Sequence, residues 1–150
     1  MILVKEIKKF FRESLYLARL ANSQNLEADN KIVASLDLLN KYEYIASNPS
    51  SEHIEYFLIR SRLYYKLGNF QNALDDTILS QELLKNVKKI YNDVDSVYLK
   101  KYTLLMLSNI YYSLNDTQWQ QINNEYENMN ISIEINSGEL NQLFLKWLPL

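Results

Sequence analysis

Apolar residues return every three or four positions along most of this chain, the period of a helix with one buried face. The clearest run begins at Phe70. Phe70, Ala73, Leu74, Thr77, Ile78 and Gln81 fall at i, i+3, i+4, i+7, i+8 and i+11, and only Gln81 interrupts the apolar stripe. Upstream, Leu58, Tyr64, Tyr65 and Leu67 lie in a segment with no strand-like alternation. Between the two sits Leu67-Gly68-Asn69. Gly68 can end the first helix with a positive φ, and Asn69 can cap the second. Helices joined by so short a turn must fold back on each other.

The same period predicts an all-α chain of about seven helices. A first helix over residues 4–21 carries Ile7, Phe10, Phe11, Ser14, Ala18 and Ala21 on one stripe. The polar run Asn22–Asn30 reads as a connection, and a second helix follows over 30–46 with Ile32, Val33, Leu36, Leu39, Tyr42 and Ile45. Pro49 ends it, since the residue before a proline disfavours helix. Helices are then predicted over 51–67, 69–91, 96–114 and 116–129, with Asp95 or Ser96 capping the fifth. Trp119, Ile122, Tyr126 and Met129 form the stripe of the sixth. Ile131, Ile133 and Ile135 alternate with polar residues and read as an extended linker. Asn136 and Glu139 can form a capping box. A last helix, 138–148, places Leu140, Leu143, Phe144, Trp147 and Leu148 on one face, ready to cap the edge of a stack or to dock on a second copy. The chain thus reads as one domain of three hairpins, 4–46, 51–91 and 96–129, with a capping helix.

An internal echo supports the hairpin reading. Leu104, Ser108, Tyr111, Tyr112, Leu114 and Asn115 follow Phe57, Ser61, Tyr64, Tyr65, Leu67 and Gly68 by 47 positions. Asn115 stands where Gly68 stood, and asparagine is the next-best residue for positive φ. Phe57, Ser61, Tyr64, Gly68, Phe70, Ala73 and Ser80 also resemble the tetratricopeptide repeat, with its early large apolar residue, small residue a turn later, turn glycine and small residues down the second helix. The 47-residue offset exceeds that family's spacing of about 34. Lengthened helices or another class of helical repeat would both accommodate it.

Composition narrows the functional classes. Two Gly and two Pro in 150 residues suit long helices and short turns. A net charge of −2, with interspersed signs, lacks the basic stripe of a nucleic-acid binder. The absence of cysteine excludes disulfides and thiolate metal sites. The opening MILVKEIKKFFRESLYLARLA has too short an apolar run for a signal peptide, and no segment reaches membrane-span length. These features suggest a cytoplasmic location. Asn115-Asp116-Thr117 and Asn130-Ile131-Ser132 fit the glycosylation pattern, which matters only in a secreted protein.

Catalytic chemistry finds no constellation. His53 is the single histidine, expected to be solvated beside Glu52 and Glu55. Asp75 and Asp76 point about 100° apart on a helix and do not converge. Asp93 and Asp95 lack the glycine and distal glutamate of a calcium loop. No enzyme activity, cofactor or metal is expected.

The family resemblance implies instead a binding groove lined by the first helix of each repeat, holding a protein or peptide. Carried onto this sequence, the groove is Glu55, Leu58, Arg62, Tyr65 and Lys66, then Tyr102, Leu105, Asn109 and Tyr112. Arg62 and Lys66, one turn apart, could meet a carboxylate. Tyr65 and Tyr112 either offer hot-spot contact area or pack between repeats. Leu58 stands where some relatives place a clamp lysine, so a chaperone-tail role is not implied. Adaptor, secretion chaperone and immunity protein remain equally open, as does a structural unit dimerising through the last helix.

Overall fold

A computed structural model of the chain describes residues 2–50, 53–85 and 93–129. Among them the fold is all-α and holds no strand. The helices are α1 (Ile2–Ala28), α2 (Ile32–Asn40), α3 (Glu43–Ser47), α4 (Ile54–Lys66), α5 (Phe70–Lys85), α6 (Asp93–Ser113) and α7 (Gln118–Asn128). The expected linker at 131–135, the capping box at Asn136 and the last helix at 138–148 lie outside the described residues.

Three hairpins succeed one another: α1–α2, α4–α5 and α6–α7. Each turns on a residue with positive φ, namely Asn30 at 61°, Gly68 at 79° and Asn115 at 58°. The backbone bonds repeat as well. Asn30, Gly68 and Asn115 donate to the carbonyls of Glu27, Tyr65 and Tyr112 at 2.9, 3.0 and 3.1 Å. Lys31, Asn69 and Asp116 donate to those of Leu26, Tyr64 and Tyr111 at 2.8, 2.9 and 2.9 Å. These paired bonds, closing over three and five residues, are the Schellman C-cap. Asp116 then accepts the Gln118 backbone N–H at 3.0 Å and starts α7.

A serine stands seven positions before each turn residue: Ser23, Ser61 and Ser108. Each donates across its hairpin to a backbone carbonyl, of Ser35 at 3.4 Å, Ala73 at 2.8 Å and Trp119 at 3.4 Å. A small side chain is needed there because the paired backbones come close enough for a hydroxyl to bridge them. The first hairpin is therefore a third copy of the repeat. Leu20, Ser23 and Asn30 precede Leu58, Ser61 and Gly68 by 38 positions, whereas the next offset is 47. The turn chemistry is constant and the connections between hairpins vary.

Several boundaries depart from the periodicity. α1 continues through Asn22–Ala28, although the polarity of that run marks it as a connection. Ser23 and Glu27 are buried there because partners on other helices receive them. The expected second helix is broken after Asn40. Tyr42 turns inward, donates its hydroxyl to the Leu15 carbonyl at 3.1 Å and meets the rings of Tyr16 and Tyr56 edge-on. α6 starts at Asp93, so Asp95 and Ser96 fall inside it rather than capping it.

α4 is the centre. It packs against α2, α5 and α6, and eight of its thirteen residues are buried. Phe57, Ile59 and Leu63 join Leu20, Leu36, Leu39, Tyr42 and Ile45 in one core. Ile54 and Leu58 join Ala73, Leu99, Met106 and Ile110 in another. On the side towards the second helices, Arg60 grips Asp76 with two bonds of 2.7 Å and reaches Asn40 and the Tyr56 hydroxyl at 3.3 Å each.

The turns give a direct test. A Cβ on Gly68 would meet nothing within 4 Å, so Gly68→Ala is penalised only by its left-handed backbone. Urea unfolding should show a loss of about 1–2 kcal/mol. Asn115→Gly, which relieves the same strain in the third hairpin, should be neutral or stabilising by up to about 1 kcal/mol.

Candidate partner-binding face

The first helices of the three hairpins are tied together by side chains near their C-terminal ends. Glu27 of α1 accepts from Arg62 of α4 through Nε at 2.8 Å and Nη2 at 2.5 Å. Its other neighbour is the Lys66 ammonium, at 2.7 Å. Arg62 Nη1 reaches the Tyr102 hydroxyl of α6 at 3.5 Å. Tyr65 and Ser113 share a hydrogen bond of 3.1 Å between α4 and α6. All these residues sit within the last turns of their helices except Tyr102. The three turns therefore lie at one end of the molecule, and α1, α4 and α6 share one face.

Burial divides the nine residues expected in the groove. Leu58, Arg62 and Tyr102 are buried, at 0, 3 and 7 % exposure, and form a floor rather than an open lining. Leu58 belongs to the apolar core shared with α6. Glu55, Tyr65, Leu105 and Asn109 are half-buried. Lys66 is exposed, and Tyr112 is the most open of the nine at 64 %. Tyr112 is nevertheless held: its ring meets Trp119 edge-on, with centroids 5.3 Å apart. Tyr65 has the matching place in the second hairpin and meets the Phe70 ring at a tilt of 56°, with centroids 5.3 Å apart. Leu67 and Leu114, equivalent positions in the two turns, are both exposed. The turn end thus carries an aromatic and aliphatic rim.

Gln24, Arg62 and Asn109 each stand six positions before their turn residue, one per hairpin. Arg62 spends its donors on Glu27 and Tyr102. The amide Nε2 of Gln24 and Nδ2 of Asn109 are enclosed and have no acceptor in the structure. Sequence reasoning misses Gln24, Glu27 and Trp119 as members of this face. The 38-residue echo is a signal that could have found the first two.

Burial disfavours charge on Arg62, but Tyr102 and Glu27 outweigh it and hold the guanidinium pKa above its ordinary value. Burial also pushes the Tyr102 phenol up to about 12, against the pull of Arg62. His53 is half-buried rather than solvated. Its Nδ1 lies 3.0 Å from Ser50 Oγ and its ring meets Tyr16 edge-on. Among the described residues no group of three or more acidic, histidine or cysteine side chains could hold a metal ion, and no helix is long and apolar enough to cross a membrane.

Fold and face together define an all-α protein whose described residues form three helical hairpins with a cross-bonded first-helix face. No protein-family model matches the chain, and no curated protein and no solved structure matches it either.

The buried network can be tested in two ways. Arg62→Leu leaves Glu27 without its main partner in a buried site and should cost about 3–5 kcal/mol in denaturant unfolding. The double variant Arg62→Leu/Glu27→Leu should recover most of that loss. The Tyr102 phenol, raised from 10.0 to about 12, favours the folded state while neutral. Its contribution is full below pH 10 and is lost as the pH rises through 12. Tyr102→Phe should therefore lessen the alkaline loss of ellipticity over that window, though Tyr56 and Tyr126, also raised by burial, keep part of it.

Proposed function

We propose that this chain is a non-catalytic, tetratricopeptide-like interaction module. It binds a protein or peptide across the turn end of α1, α4 and α6. The observation that carries the reading is Tyr112. A large ring exposed at 64 % yet braced on Trp119 offers contact area with little rotamer entropy left to lose. Tyr65, Lys66, Leu105, Leu67 and Leu114 extend that surface. The Glu27–Arg62–Tyr102 network keeps the helices in register beneath it. A protein surface or peptide suits this mix better than a phosphate backbone, given the net charge of −2.

A photo-crosslinking residue placed at Tyr112 should trap a small set of proteins in a lysate of the native host. The same residue at Glu82, exposed on α5, should not. Tyr112→Ala should weaken binding of the trapped protein by roughly 30-fold, the scale of a hot-spot truncation, with an unchanged melting curve. Identical products from both positions, or unchanged affinity, would overturn the reading.

A further inference from the structure

The second helices of the first two hairpins are each covered from both sides. α2 packs between α1 and α4, and α5 between α4 and α6. Their burial shows it. The nine-residue α2 buries Ser35, Leu36 and Leu39, and α5 buries Ala73, Leu74, Asp76, Thr77, Ser80 and Leu84. α7 occupies the same place in the third hairpin and is eleven residues long, yet it buries none. Among the described residues its main packing partner is α6. Its stripe of Trp119, Ile122, Tyr126 and Met129 is half-buried, closed by α6 on one side.

The residues C-terminal to α7 suit its open side. Met129 leaves α7 with extended backbone, φ −74° and ψ 101°, and Lys101 Nζ donates to its carbonyl at 3.3 Å, which holds the exit against α6. The next amphipathic pattern is Leu140, Leu143, Phe144, Trp147 and Leu148. The residues between, 130–137, can span up to about 26 Å when extended. α7 is only about 16 Å long, and a helix over 138–148 would match that length. The link therefore suffices for the tail to turn and run back along α7.

We propose that residues 138–148 of the same chain cover α7, laying Leu140, Leu143, Phe144 and Trp147 against its stripe of Trp119, Ile122, Tyr126 and Met129. They would stand to α7 as α4 stands to α2 and α6 to α5. The chain's own tail is the occupant rather than a second copy. A link of this length holds the tail at an effective concentration in the millimolar range, and it continues the order in which each hairpin is covered by the next segment of chain. This goes beyond the partner face, which is at the turn end, and does not depend on it.

The chain has no cysteine, so introduced thiols can pair only with each other. Full-length variants would combine Ile122→Cys or Tyr126→Cys with one of Leu140→Cys, Leu143→Cys, Phe144→Cys or Trp147→Cys. Diamide would serve as oxidant, accepting the two electrons and two protons released as each disulfide forms. At least one pair should close within a single chain, giving a faster-migrating monomer on a non-reducing gel and an intact mass lower by one pair of hydrogens. Closure only as a covalent dimer would assign the face to a second copy and overturn the proposal. Absence of closure in every folded pair would overturn it as well. If the paired variants lose helical ellipticity, Trp147→Phe decides, because it leaves Trp119 as the sole tryptophan. Adding Leu143→Asp to it should raise acrylamide quenching of Trp119 at least twofold, and unchanged quenching would overturn the proposal.

Discussion

A guanidinium at 3 % exposure cannot stand alone in a protein interior, and the position of Arg62 is therefore a constraint on everything around it. Glu27 answers it from the end of α1, and Tyr102 answers it from α6. Those bonds require the first helices of three separate hairpins to meet on one face. They explain why α1 must run on through a polar segment to Ala28: a helix ending at residue 21 would carry no Glu27 to the site. A buried ion pair adds little net stability over apolar residues of similar volume, but removing one partner alone is costly.

Arg60, two positions away, does the corresponding work on the opposite side of α4. It joins α5 through Asp76 and α2 through Asn40, while its guanidinium lies over the rings of Tyr56, Phe57 and Tyr64. Residues two apart on a helix point nearly opposite ways. One short segment, Arg60-Ser61-Arg62, thus reaches four helices, with Ser61 closing the hairpin between the arginines. What this interior leaves exposed at the turns is the ring of Tyr112 with Leu67 and Leu114.

The central hairpin is legible in the sequence because its signals are local. Gly68 needs a left-handed backbone, Ser61 a close neighbour and Phe70 an apolar face, and each need shows within a few residues. The echo at Ser108 and Asn115 is readable for the same reason. The first hairpin is harder. Its turn residue, Asn30, and its serine, Ser23, sit in a polar run that resembles a loop, and only their partners on other helices explain them. The candidate site divides likewise. Tyr112 can be named from its place in the repeat, but Arg62 and Tyr102 cannot be told from open groove residues.

The sequence by itself determined the helical class and the hairpins around Gly68 and Asn115, because periodicity and backbone preference act over short stretches. Tertiary structure alone decided which polar residues are interior. Glu27, Arg62 and Tyr102 are hydrophilic in any window of sequence, and a buried charge is tolerable only where a distant partner arrives to meet it. That pairing spans 35 residues between Glu27 and Arg62 and 40 between Arg62 and Tyr102, separations over which no local pattern carries information.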